Sequence, residues 1–162
     1  MGCDIHGFWE AKTPGGDWIA FREVNRDRSY AWFGVVADVR MRLDSPTCHR
    51  GIPDDTSPAW STYTTRWGRG LHSHTFLTPS EVRDANVKWW KIIKDEDLYD
   101  PDPNGVIREI VPHACEAIET LYIPPSNENV SMHSIRWAGS LQDLIGSDDI
   151  EGRVRMVIAF DN

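Results

Sequence analysis

"CDIHGFWEAKTPGGDWIAFREV" (residues 3–24) decides the fold. Residues 3–11 alternate in the manner of a strand, and "WIAFREV" (18–24) reads as a second one. Between them "TPGGD" (13–17) supplies a proline with a fixed φ and glycines that accept a positive φ. Strand, tight turn and strand predict a hairpin, and a hairpin commits the sheet to antiparallel pairing. The far end of the chain agrees. "RVRMVIAFDN" (153–162) reads as a last strand, with Val154, Met156, Ile158 and Phe160 alternating inward.

Helical patterns lie between these ends. "DRSYAWFGVVADVR" (27–40) repeats Tyr30, Phe33, Val36 or Ala37 and Arg40 at helical spacing, with Asp27 as the expected cap. Residues 41–70 have no clear period and carry Pro46, Pro53, Pro58, Gly51, Gly68 and Gly70. A long irregular stretch of this kind reads as a functional loop, holding one short helix over 57–67 with Ser57 as cap and Pro58 in its first turn. "HSHTFL" (72–77) reads as a short strand. "TPSE" (78–81) is a capping box that starts a helix through about Lys91. "DEDLYDPDPNG" (95–105) reads as an acidic exposed loop. "PHACEAIETLY" (112–122) is expected to be a helix entered by Pro112, with Ala114, Ile118 and Leu121 on one face. "MHSIRWA" (132–138) reads as a strand, and "SLQDLIG" (140–146) as a short helix closed by Gly146. The sum predicts a single α+β domain over 1–162, mainly an antiparallel sheet with covering helices and a long irregular loop.

Composition narrows the function. The 162 residues carry a formal charge of −8, the wrong sign for a protein that grips long nucleic acid through its phosphates. A small anionic ligand remains compatible, because a local arginine cluster can hold one. No apolar run approaches the roughly 20 residues that span a bilayer. Residues 2–10 are too short and polar for a signal peptide, so no membrane partner and a cytoplasmic location are expected. Three cysteines, widely spaced and odd in number, argue for free thiols over a disulfide framework. Eight tryptophans are many for this length. Most are expected in the core or half-buried, with one or two available as a stacking platform for a ring.

Two polar pairs carry the metal chemistry. Asp4 and His6 are two residues apart, and so are His72 and His74. On an extended chain such residues point to the same side. Carboxylate and imidazole are common ligands of zinc and manganese, so Asp4, His6, His72 and His74 are the candidate set for a divalent metal ion. The competing reading of each pair is a polar strand without a ligand. The four would converge if their two strands were neighbours. Asp161, at the end of the last strand, would approach Asp4 if that strand lay beside the first. In "CHRGIPDDTS" (48–57), Arg50 is placed to hold a phosphate, and Asp54 or Asp55 to complete the metal shell or act as base. The alternative there is a proline turn with an aspartate cap. Arg28 and Arg40 are further phosphate contacts, and Tyr30 a stacking surface. Ser73 falls on the opposite face of an extended strand from His72 and His74, which weakens a serine triad.

Taken together, "MGCDIH" (1–6), "RSYAWFGVVADVR" (28–40), "RGIPDD" (50–55), "HSHTFLTPSEV" (72–82) and "FDN" (160–162) resemble an uncharacterised family of small bacteriophage proteins that open with MGCDIH. In that family's usual pattern an asparagine stands at position 29 and a glycine at position 38, where this chain has Ser29 and Asp38. An aspartate often precedes the histidine pair in relatives, whereas this chain has Gly70 and Leu71. The resemblance implies a phage accessory protein acting in the host cytoplasm, of a kind that often counters host defence. The expected function is then a metal-dependent phosphodiesterase that degrades a small cyclic nucleotide signal. His72, His74 and Asp54 or Asp55 would be catalytic, and Arg50, Tyr30, Arg28 and Arg40 would bind the ligand. A bound metal would lower the pKa of a water and polarise the phosphoryl oxygen. Two other classes stand beside it: a non-catalytic sponge for nucleotide messengers, working as a homo-oligomer, and a protein–protein inhibitor of a host factor.

Overall fold

The hairpin forms. In the structure, a computed structural model that describes residues 2–24, 28–93, 115–120, 134–139 and 141–162, β1 (Ile5–Lys12) pairs antiparallel with β2 (Trp18–Glu23). Its turn is closed by the Thr13 amide on the Asp17 carbonyl at 2.9 Å, with Gly16 at φ 97°. That φ lies in the region where glycine meets no Cβ penalty.

β3 (His72–Leu77) and β6 (Val154–Phe160) lie on the other side of β1, while β4 (Cys115–Thr120) and β5 (Ser134–Gly139) extend the sheet beyond β2. The sheet has six strands in the order β3-β6-β1-β2-β4-β5, with every described pairing antiparallel. β6 is therefore central, and it is buried along all 7 of its residues. The expected inward alternation is only half of its pattern. Val154, Met156, Ile158 and Phe160 enter one core, and Val157 and Ala159 enter a second core on the opposite face.

Helices cover both faces. α1 (Tyr30–Ala37) and α3 (Pro79–Ile93) pack on the first, together with α4 (Leu141–Ile145). α2 (Pro58–Trp67) closes the second with Ala59 and Trp60. α2 and α3 start where their sequences predict. Ser57 Oγ accepts from the Trp60 amide at 3.3 Å, with Pro58 in the first turn. In α3 the capping box is reciprocal. The Thr78 amide donates to Glu81 Oε2 at 2.9 Å and the Glu81 amide to Thr78 Oγ1 at 3.4 Å. Gly146, at φ 62°, closes α4.

Two expectations are corrected, and one element was not foreseen. α1 is shorter than 27–40. It is capped by Ser29, whose Oγ accepts from the Trp32 amide at 3.4 Å, and it ends at Asp38, which takes the left-handed conformation with φ 54°. Asp27 lies outside the described residues. The segment 112–122 contains a strand, β4, where a helix was expected. Its helical periodicity rests on three residues only, and a short apolar run cannot separate helix from strand. The open edge of β2 and the partner strand β5 supply backbone hydrogen bonds that decide it. A short α5 (Ile150–Arg153), capped by Asp149, precedes β6 with no apolar period to announce it. The acidic segment 95–105 lies outside the described residues.

Candidate functional site

β6 runs between β3 and β1, so the strands carrying the two polar pairs are not neighbours. Their backbones stand two strand spacings apart, about 10 Å. What the register does bring together is the start of β1 and the end of β6. His6 pairs with Ala159 and Ile5 with Phe160. Asp161 consequently arrives beside Asp4. Its Oδ1 accepts from the Asp4 amide at 2.7 Å, and its own amide donates to the Asp4 carbonyl at 3.1 Å.

Asp161 also reaches His6, with Oδ2 3.2 Å from His6 Nε2. That nitrogen is buried, and the approach is off the line of a hydrogen bond. The other ring nitrogen, Nδ1, lies 2.7 Å from the Tyr63 hydroxyl. Burial pushes the Asp161 carboxyl up, but the Asp4 amide, His6 and Arg28 together hold it below its ordinary value. Burial pushes the Tyr63 hydroxyl up. Asp4 itself is half exposed and ion-paired, with its Oδ1 2.6 Å from an Arg28 terminal nitrogen. Arg40 completes this end of the sheet. It donates to the Gly2 carbonyl at 3.3 Å, and its guanidinium lies 5.8 Å from the centre of the Tyr30 ring. Its φ of 64° is one of five positive values among the described non-glycine residues. Asp4, His6, Arg28, Arg40 and Tyr30 therefore share one end of the molecule with Asp161.

His72 and His74 do not behave as an i, i+2 pair. The register of β3 against β6 slips between His72 and Thr75, and Ser73 sits at φ 51° inside that bulge. The His72 ring lies 6.4 Å from Phe160 in one core, and the His74 ring 6.3 Å from Trp60 in the other. The bulge also overturns the expected direction of Ser73, whose Oγ is 2.9 Å from His72 Nδ1. Burial, then the nearby His72, depresses the His74 pKa. His72 Nε2 and His74 Nδ1 are, like His6 Nε2, buried without a hydrogen-bond partner.

The remaining candidates serve the frame. Arg50 meets Glu81 through two parallel bonds of 2.8 and 2.6 Å and donates to the Phe76 carbonyl at 3.2 Å, so its fork is occupied. Asp55 accepts from Arg155 at 2.7 Å and from the Trp18 indole at 2.9 Å. The Arg155 bond holds the Asp55 carboxyl below its usual range. Arg155 also binds Glu10, four residues along β1 from His6, a separation of about 13 Å. Asp54 is exposed in the adjoining turn.

The aromatic wall around His6 is the part that sequence reasoning missed. Trp67 lies 4.7 Å and Tyr63 5.9 Å from its ring, centre to centre. Trp60 stacks on Tyr63 at 5.9 Å. The signal was legible, since Trp60, Tyr63 and Trp67 follow one another at i, i+3 and i+7 along α2.

The donor types at this end suit zinc or manganese. Two ligands about 2.1 Å from one metal at near-tetrahedral angles stand about 3.4 Å apart, close to the 3.2 Å between His6 Nε2 and Asp161 Oδ2. Among the described residues, no three histidine, cysteine, aspartate or glutamate side chains are grouped to hold a metal as they stand. Within those residues, no helix is long and apolar enough to cross a membrane. No protein-family model, curated protein or solved structure matches the chain.

Proposed function

We propose that the protein is a metal-dependent phosphodiesterase for a small cyclic nucleotide, and that its centre is His6 with Asp161. The observation that carries this reading is the buried His6 Nε2, which makes no aligned hydrogen bond and stands 3.2 Å from the Asp161 carboxylate at metal-ligand spacing. A buried polar atom without a partner costs about 1–3 kcal/mol and calls for an explanation, and a shared cation supplies one. His72 and His74 each hold one such nitrogen as well, but their rings enter opposite cores, so they are not joint ligands of this centre. The metal would be zinc or manganese, which activates water and neutralises charge on the phosphoryl oxygens.

The chain's own residues divide the remaining work. With Nδ1–H donating to the Tyr63 oxygen, Tyr63 would fix the His6 ring and leave the Nε2 lone pair for the metal. Asp4, half exposed beside Asp161, is the carboxylate available to take a water's proton, in place of Asp54 and Asp55. Hydrolysis adds the water oxygen to phosphorus and breaks one ester P–O bond, and the proton passes to the leaving alkoxide. The resemblance to small phage proteins supports a role as an accessory, counter-defence gene product in the host. Turnover of cyclic AMP, cyclic GMP and cyclic di-AMP with added manganese or zinc tests the reading. Metal-dependent product formation, lost in Asp161→Asn, is expected. Full turnover in that variant would contradict it.

A sponge is the second reading. It draws on Arg28, Arg40 and the exposed Tyr30 ring, which offer contacts without chemistry. Stoichiometric capture, with intact ligand released on denaturation, would favour it over turnover.

A further inference from the structure

Among the tryptophans whose side chains are described, Trp9, Trp32 and Trp60 are buried and Trp18, Trp89 and Trp90 half-buried. Trp67 alone is exposed, at 39%. It is not a loose surface residue. One side of its ring lies against His6 at 4.7 Å, and a Cβ placed on Gly70 would stand 3.3 Å from its Cε3. The ring is thus fixed by the His6 imidazole and by Gly70 close to its Cε3, at the rim of the His6–Asp161 pair.

Its neighbours in sequence are Arg66 and Arg69, both exposed and neither ion-paired among the described residues. Gly68 stands between Trp67 and Arg69 with φ 55°, a conformation that turns the chain sharply after α2. The wider stretch is unusual for a chain of charge −8. From Thr56 to Ser80 there is no aspartate or glutamate. The arginines at positions 28, 40 and 50 have other partners. Arg50 is held by Glu81, Arg28 by Asp4, and Arg40 by backbone and Asn162 oxygens.

We infer that Arg66, Trp67 and Arg69 form the recognition subsite for a free nucleotide, the base stacking on Trp67 and the two guanidiniums meeting phosphate. A fixed, half-exposed indole flanked by unpaired cations suits a ligand with a planar ring and a negative charge. The overall negative charge disfavours a long polyanion at the same place. The subsite lies against His6, so the inference rests on the reading of that end of the sheet as a nucleotide site.

The test is equilibrium binding of cyclic di-AMP to the full chain, with adenosine, ribose phosphate and a short single-stranded DNA as comparison probes. Cyclic di-AMP is expected to bind more tightly than adenosine or ribose phosphate. Trp67→Ala should weaken it about tenfold or more, and Trp67→Phe should recover most of the loss. Arg66→Gln/Arg69→Gln should weaken binding and flatten its salt dependence. Circular dichroism checks that each variant retains its helices. Binding of cyclic di-AMP unchanged in both the Trp67→Ala and the double arginine variants overturns the inference, and so does preference for the DNA strand or no binding by wild type. Binding that follows these residues but yields no product with metal present leaves the subsite standing and removes the phosphodiesterase. Metal-dependent turnover that ignores Trp67 and the two arginines does the reverse.

Discussion

His74 shows how a single side chain ties stability to pH. Burial depresses its folded-state pKa from the ordinary 6.5, so the unfolded chain takes up its proton first. The stability this group contributes is therefore complete above about pH 6.5 and is lost as pH falls toward the folded value. Urea unfolding followed from about pH 7 down to about pH 5 should show a steeper decline in wild type than in His74→Gln. Equal slopes would contradict the burial argument. Arg50 makes the opposite point, because its chemistry is already committed. Arg50→Ala should cost about 1 kcal/mol of stability, the loss of a partly buried bidentate pair, and leave nucleotide binding intact. A binding defect larger than its stability defect would return Arg50 to the site.

At the scale of elements, the caps and the turn were readable because their signals are local. Ser57 with Pro58, the Thr78–Glu81 box and the "TPGGD" turn each depend on residues within four positions. Ser29 and Asp38 belong here too. Both stand at cap positions, where asparagine and glycine are also favoured, and the Asp38 carboxylate additionally accepts from the Leu43 and Ser45 amides at 2.9 and 3.1 Å. What could not be read was decided by partners distant in sequence. The strand at 115–120 takes its conformation from β2 and β5, and the bulge at Ser73 from its register against β6. The assumption that His72 and His74 share a face failed for that reason, since the period of two holds only in an unbroken strand. Gly7 tests the β1–β6 pairing directly. A Cβ there would fall 2.2 Å from the Val157 carbonyl oxygen, so Gly7→Ala should destabilise by about 2 kcal/mol or more and carry His6 away from Asp161. Thermal unfolding reads the first effect. An unchanged melting temperature would mean that the strands are not so closely paired.

For the molecule as a whole, charge gathers at two places on the sheet. At one end Arg155 joins the fully buried Glu10 to Asp55 and stacks 3.9 Å from the Trp18 ring, while Glu10 also accepts from the Ser57 amide at 2.8 Å. Arg155→Ala would strand a buried carboxylate and should cost about 3–5 kcal/mol. Glu10→Gln/Arg155→Met keeps an acceptor for Ser57 without a charge and should be the more stable of the two by chemical denaturation. At the other end the Asp4–Arg28 pair is half exposed and lies beside His6, Asp161 and the α2 aromatics. Sequence reading found Asp4, His6 and Asp161, because each terminal strand announces itself. It missed Tyr63 and Trp67, because only the packing of α2 across the second face gives that aromatic stripe a neighbour.

Metal content measured by elemental mass spectrometry is the test of the His6–Asp161 centre. The comparison is between wild type and His6→Ala/Asp161→Asn, purified without a metal-binding tag and equilibrated with zinc and manganese. A stoichiometric transition metal is expected in wild type and its loss in the variant, with the fold retained by circular dichroism. Wild type that stays metal-free, or a variant that keeps its metal, would contradict it.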